Sequence, residues 1–249
     1  MSNKDLYNEL HSNALRYDCI YHYTSIEALD IILANKSLRL SSLTRVNDPQ
    51  ENKRITSLWN KKVFVACFTN TLKNADYFFT NYGKVRITFL NKFEQPDVFF
   101  DSALKSKLID FYVDCKAKSN LEYKSYSRYH DWCLFDSTFA DVYYTDDLDS
   151  HISSDGFELN AGLIKQKSGI DNKGDSRDWS IEKESRLRVA VRPIAKEFVI
   201  EGAVINCPKP TFDYLYVSID DLVIQIELYD LCTTTERIYF DKILKKYGY

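Results

Sequence analysis

Residues 19–43, CIYHYTSIEALDIILANKSLRLSSL, decide the fold. Cys19 to Tyr23 has the apolar and aromatic character of a short strand. Ser25 stands where a helix N-cap belongs, and Ile26, Leu29, Ile32 and Leu33 follow at helical spacing. Ser37 to Leu43 then alternates, with Leu38 and Leu40 facing one way, as a strand requires. The order is strand, helix, strand. The first strand ends in His22, Tyr23 and Thr24, and the block runs on into Asn47, Asp48 and Pro49. Those three predict a turn, because Asn and Asp side chains bond nearby backbone and Pro fixes the bend.

Outward from this block the chain reads as a β-rich body with helices. Val63 to Thr69 is an apolar run suited to a buried strand, and Val85, Ile87 and Phe89 alternate with Lys84, Arg86 and Thr88. Between them NTLKNADYFFTNYG predicts a short helix closed by Gly83. Helices are also expected at Asp5 to Leu15 and Thr233 to Tyr247. Short strands are expected at Val142 to Thr145, Glu197 to Ile205 and Asp221 to Leu228. From about Ser102 to Asp131, Leu104, Leu108, Phe111, Tyr112 and Cys115 form a helical apolar stripe. Lys167 to Asp178, KSGIDNKGDSRD, reads as a polar loop. The expectation is one α+β domain over residues 1–249 with a helical elaboration at about 102–131.

Composition narrows the chemistry. A 45% hydrophobic and 14% aromatic chain of 249 residues can bury a full core, and no run approaches the roughly 18 apolar residues of a membrane helix. The polar start MSNKDLYNELHSN lacks a secretory apolar stretch, so a cytoplasmic protein without a membrane partner is expected. The six cysteines are widely spaced, with no CxxC pair, and are read as reduced thiols rather than disulfides or metal ligands. A net charge of -3 gives no global reason to bind nucleic acid. There is no glycine-rich phosphate loop, GxSxG elbow or HExxH, and seven glycines leave little material for nucleotide-cradling loops. A dinucleotide site would have to use side chains and strand edges.

The candidate chemistry lies in WSIEKESRLRV, Trp179 to Val189. Read as a strand from Glu182 to Val191, it places Glu182, Glu184, Arg186 and Arg188 on one face, with Leu187, Val189 and Val191 toward the core. Two carboxylates side by side suit cleavage of a glycosidic bond. One stabilises positive charge developing on a ribose, and the other orients or deprotonates a nucleophile. The competing reading of the same spacing is a solvated face of cross-strand ion pairs. His22 can bond a ribose hydroxyl or a phosphate through one ring nitrogen while backbone holds the other, and Tyr23 or Tyr82 can stack on a flat heterocycle. Against that stands a histidine simply packed in an aromatic strand. In Lys116 to Trp132, Lys116, Lys118, Lys124 and Arg128 interleave with Tyr123, Tyr126, Tyr129 and Trp132. That composition suits single-stranded nucleic acid, or equally a helix with one buried aromatic edge.

Four segments together, YHYTSIEALDIIL, LRLSSLTRVNDPQE, VACFTN followed by YFFTNYGKVRITF, and WSIEKESRLRV, resemble a bacterial family designated domain-of-unknown-function family 2971 over roughly residues 19–190. That family in turn is similar to the ADP-ribosyltransferase superfamily, and the opening segment is similar to that of DNA-targeting ADP-ribosylating toxins. The resemblance implies a curved split β-sandwich with flanking helices, NAD as co-substrate and no metal. It implies transfer of ADP-ribose to a macromolecule, nucleic acid before protein, in a bacterial toxin or anti-phage effector that an antitoxin neutralises. Carried onto this sequence, Glu184, or else Glu182, is the catalytic glutamate, with Arg186 beside it. His22 meets the adenosine-side ribose, Thr24 supports that strand end, and Tyr82 faces nicotinamide, with Tyr23, Asn47 and Asp48 completing the NAD site. Two positions depart from the family pattern: Phe78 or Phe79 stands where a tryptophan is common, and Ser185 where an aromatic follows the second glutamate. An NAD glycohydrolase and a non-catalytic nucleotide sensor are the alternatives.

Overall fold

The computed structural model describes residues 3–46, 62–93, 98–99, 109–110, 132–147, 162–171, 173–193, 197–200, 203–206 and 212–249. The chain is mixed α+β. Its helices are α1 (Asn3–Ala14), α2 (Ile26–Asn35), α3 (Ala75–Tyr82) and α4 (Thr234–Tyr247). The first strands are β1 (Cys19–Thr24), β2 (Ser37–Ser42), β3 (Lys62–Thr69), β4 (Val85–Leu90), β5 (Val98–Phe99) and β6 (Ile109–Asp110). Next come β7 (Trp132–Asp141), β8 (Tyr143–Thr145), β9 (Ile164–Gln166), β10 (Ser168–Ile170) and β11 (Ser176–Asp178). The last are β12 (Glu184–Pro193), β13 (Glu197–Ile200), β14 (Ala203–Asn206), β15 (Tyr214–Ser218) and β16 (Val223–Leu228).

Ten strands form one sheet whose main path runs β16-β4-β1-β3-β12-β7-β6, and its pairings are antiparallel except β6 with β7. Along one edge β3 pairs with β12 from Glu184↔Thr69 to Val191↔Lys62. Its other edge is divided. β2 takes the start of β3 at Ser41↔Val65 and Ser42↔Phe64, whereas β1 takes the end at Tyr21↔Thr69. Between them β1 and β2 part, joined by α2. That helix starts where the Ser25 hydroxyl accepts the Ala28 amide at 3.1 Å and stops at Lys36, which adopts a left-handed conformation.

Period two sorts the side chains. Leu38 and Leu40 of β2, Phe64, Ala66 and Phe68 of β3, Leu187 and Val189 of β12, and Leu215 and Val217 of β15 join the main core, sealed by Leu29 and Ile32 of α2 and by Phe240 and Ile243 of α4. The opposite face of the same strands carries Arg39, Cys67, Glu184, Arg186 and Arg188. The site grows on that second face.

Three sequence expectations need correction. Lys167 to Asp178 contains a β10–β11 hairpin, with Ser168 opposite Asp178 and Ile170 opposite Ser176, and is not an irregular loop. Glu182 is not in a strand: Asp178 accepts the Ser180 amide and caps a 3-10 turn over Trp179–Glu182, and Lys183 in a left-handed conformation then starts β12. Nor is the Glu184, Arg186, Arg188 face solvated, since these side chains are 5%, 1% and 1% exposed. Of the stretch expected to be helical at 102–131, only Ile109–Asp110 is described, and it is a strand. The basic-aromatic segment Lys116 to Asp131 and the turn residues Asn47 and Asp48 lie outside the described residues.

Gly83 fixes how α3 returns to β1. Its φ is +132°, and a Cβ there would sit 2.3 Å from the Thr24 carbonyl carbon and oxygen and 2.7 Å from the Ser25 nitrogen. Gly83→Ala should therefore destabilise the fold by at least about 1–3 kcal/mol, from backbone strain alone. Urea denaturation checks this, and an unchanged midpoint would contradict the close approach.

Candidate functional site

The parting of β1 and β2 opens a cavity of about 510 Å³ over the middle of β3. It is lined by His22, Tyr23 and Thr24 of β1, Arg39 of β2, Cys67 of β3, Tyr82 of α3, Lys165 of β9, Trp179 and Glu182 of the 3-10 turn, and Glu184 and Arg186 of β12. A volume of this size accommodates a small organic ligand or cofactor. Every candidate residue from the sequence that the structure describes is thus brought to one cavity.

Where the sheet parts, the carbonyl of Cys67 has no strand neighbour, and the Nδ1–H of His22 donates to it at 2.9 Å. A carbonyl can only accept, so Nδ1 carries the proton and Nε2 is left as an acceptor. Burial lowers the His22 pKa below its ordinary value, which keeps the ring neutral near pH 7. Cys67 is exposed to solvent and yet lies amid densely packed chain. Both descriptions suit the floor of a deep pocket. Burial, then the nearby Glu184 charge, pushes its thiol well above the usual range, so it remains protonated.

The catalytic candidates sit in a buried ionic cluster. The Arg186 guanidinium forks onto Glu184 through Nε at 2.8 Å and Nη2 at 3.1 Å, and its Nη1 donates to the Gly162 carbonyl at 2.8 Å. Lys165 Nζ donates to Glu182 at 2.9 Å and to Glu184 at 3.4 Å, and it lies 4.2 Å from the centre of the Trp179 ring. Tyr82 donates its hydroxyl to Glu182, with Tyr77 at 3.5 Å from the same oxygen. The parallel β8–β9 ribbon sets Tyr144 opposite Lys165, and the Tyr144 hydroxyl accepts the Glu184 amide at 3.2 Å.

Environment separates the two carboxylates. Burial raises both, but for Glu184 the Arg186 and Lys165 charges outweigh it and hold the group well below the usual carboxylate range. For Glu182 burial prevails over Lys165, and the group is raised. One glutamate is therefore firmly ionised and the other protonates readily, the division of labour that acid–base pairs use. Tyr82 and Tyr144 are both raised, by burial first and then by the glutamates, and stay as phenols.

Tyr23 has a different place from the ligand-stacking one expected. Its ring stacks on Phe78 at 4.9 Å and meets Phe79 edge-on at 5.0 Å, leaving the residue 8% exposed. It builds the wall that carries Tyr82. Phe78 or Phe79 stands where the family resemblance places a tryptophan. Sequence reasoning missed Lys165, Tyr77 and Tyr144, because nothing in isolated lysines or tyrosines marks convergence on a buried acid. Among the described residues no group of three or more His, Cys, Asp or Glu is arranged to hold a metal. No protein-family model, curated protein or solved structure matches the chain.

Lys165→Met removes a buried cation shared by two buried carboxylates and should cost about 3–5 kcal/mol near neutrality. The sign of the pH dependence follows. Without Lys165 the Glu182 pKa rises further, so the folded variant binds more protons than the unfolded chain and loses stability as pH increases. The gap between variant and wild type should widen in urea denaturation as pH rises above the ordinary glutamate range toward neutrality. A constant gap would mean that Lys165 acts through packing on Trp179 alone.

Proposed function

We propose that this cavity binds NAD and that the protein transfers ADP-ribose from it to a macromolecule. The observation that carries the reading is an ionised, clamped Glu184 on the wall of a cavity that also presents the neutral Nε2 side of His22. Breaking the bond between nicotinamide and ribose sends its electron pair to the leaving nicotinamide and leaves positive charge on the ribose. A fixed carboxylate beside that carbon stabilises the charge and accepts from a ribose hydroxyl. Glu182, whose raised pKa suits proton exchange and whose oxygen is held by Tyr82, takes the proton of the incoming nucleophile. His22 accepts from the second ribose. Arg186 acts through Glu184, which it orients.

The fold supports the same reading. A mixed α+β fold whose sheet parts along β3, with α2 bridging the parted strands, is compatible with an ADP-ribosyltransferase-like split sandwich. Nucleic acid is the proposed acceptor, on the basis of the toxin-like opening segment and the basic-aromatic residues from Lys116 to Trp132. A toxin or anti-phage effector held by an antitoxin is the proposed setting. One observation favours the rival reading of a nucleotide-binding sensor: Lys165 pairs with both carboxylates.

Purified protein should release nicotinamide from NAD, faster with RNA or single-stranded DNA, and Glu184→Gln should lower the rate by at least about a hundredfold at a temperature where circular dichroism shows the variant folded, although its unfolding midpoint falls because Arg186 and Lys165 lose a buried partner. Release independent of any acceptor would identify a glycohydrolase. No release by a folded protein that NAD stabilises would identify the sensor.

A further inference from the structure

The cavity has a second charged wall that the glutamate chemistry does not use. β2 and β12 flank β3 on opposite sides, so groups on β2 meet the cavity across from Glu184. Leu38 and Leu40 point to the core, and period two turns Arg39 to the cavity face, opposite Tyr216 of β15. Its guanidinium lies 4.4 Å from the centre of the Tyr214 ring. Arg45 lies 5.7 Å from the same centre. Arg39 and Arg45 both line the cavity.

Their partners are unequal. Arg45 donates to Asp213 at 2.5 and 3.0 Å, and Lys62 donates to that same carboxylate at 2.9 Å. Arg39 makes no ion pair or hydrogen bond with any described residue. Among the described residues Arg45 and Lys62 thus share the Asp213 carboxylate and Arg39 has no carboxylate of its own, whereas Lys165 and Arg186 pair with Glu182 and Glu184 across the cavity. Asp213 neutralises Arg45, so the charge at this wall that awaits an anion is that of Arg39. Stacking on Tyr214 leaves the planar fork of Arg39 free to donate to two oxygens at once, the geometry a phosphate takes.

We infer that Arg39, with Arg45 and held by Tyr214, is an anion subsite that takes the diphosphate of a small nucleotide whose far end reaches Glu184. The last clause rests on the proposed function; the subsite itself does not.

Calorimetric titration of the full chain with inorganic pyrophosphate, ADP, ADP-ribose, adenosine and a short single-stranded oligonucleotide tests it, on wild type, Arg39→Gln, Arg39→Lys and Glu184→Gln. Pyrophosphate, ADP and ADP-ribose should bind wild type more weakly as salt rises, and adenosine much more weakly than ADP. Arg39→Gln should weaken all three phosphate ligands about tenfold or more. Arg39→Lys should recover only part, because an ammonium keeps the charge and lacks the fork. Pyrophosphate should bind Glu184→Gln at least as tightly as wild type, because the variant loses a negative charge from the opposite wall of the cavity. Equal affinity of Arg39→Gln and wild type for ADP-ribose and pyrophosphate would overturn the subsite whether or not NAD is turned over. Loss confined to the oligonucleotide would also overturn it, marking Arg39 as an acceptor contact. Arg39-dependent pyrophosphate binding without nicotinamide release would leave the subsite standing and remove the transferase reading.

Discussion

The structure depends on one unequal pairing: β3 gives its whole length to β12 on one edge and divides the other between β2 and β1. A strand interior with an unpaired carbonyl is costly unless another donor replaces the lost neighbour. His22 supplies it at Cys67, and the replacement is a side chain with a second nitrogen still available. The same bond that repairs the sheet therefore sets the tautomer of the site histidine. Because α2 spans the gap and buries Leu29, Ile32 and Leu33 in the main core, the parted strands cannot close onto each other without emptying that core.

The buried ionic cluster is a second consequence of this geometry. Taking Glu182, Glu184, Lys165 and Arg186 out of water costs several kcal/mol per ion before pairing, and replacing such a cluster with apolar residues is often neutral or stabilising. Stability alone gives no reason to keep it. What the cluster does supply is a difference between two adjacent acids: the Arg186 fork holds Glu184 ionised, while Glu182 has a phenol and an ammonium as partners and remains easier to protonate. A solvated strand face would have given two nearly equal carboxylates.

Much of this was legible in the chain wherever one periodicity dominates. Ser25 with Ile26, Leu29, Ile32 and Leu33, the alternation of Leu38 and Leu40, and the Val63 to Thr69 run predict α2, β2 and β3 within a residue or two, and they bring His22 toward the glutamates. The reading fails where local chemistry competes with alternation. Glu182 and Glu184 satisfy period two, but the Asp178 cap and the left-handed Lys183 bend the chain between them. β10 and β11 carry a single large apolar residue, the exposed Ile170, so their hairpin leaves no alternating hydrophobic signature in sequence. β15 escaped because its YLYVS alternation is short, and with it went the ring on which Arg39 rests. Lys165 was not legible at all, since its burial is set by partners that fold in from β12 and the 3-10 turn.

The position of Cys67 narrows the chemistry further. A thiol in a cavity that also holds a histidine, with Glu184 beside it, suggests a covalent mechanism by composition alone. Geometry and charge argue otherwise. His22 bonds the Cys67 carbonyl through its protonated nitrogen, so that nitrogen cannot take the thiol proton. Glu184 is already the ionised group at that spot, and a thiolate beside it would add a second negative charge, which is why the thiol is held well above its usual pKa. A nucleophilic cysteine needs a positive neighbourhood whose charge is not already neutralised. Here Arg186 forks onto Glu184, and Lys165 bridges both acids. The negative charge at the floor belongs to the carboxylate, which suits the proposed stabilisation of a cation above it and disfavours attack by sulfur.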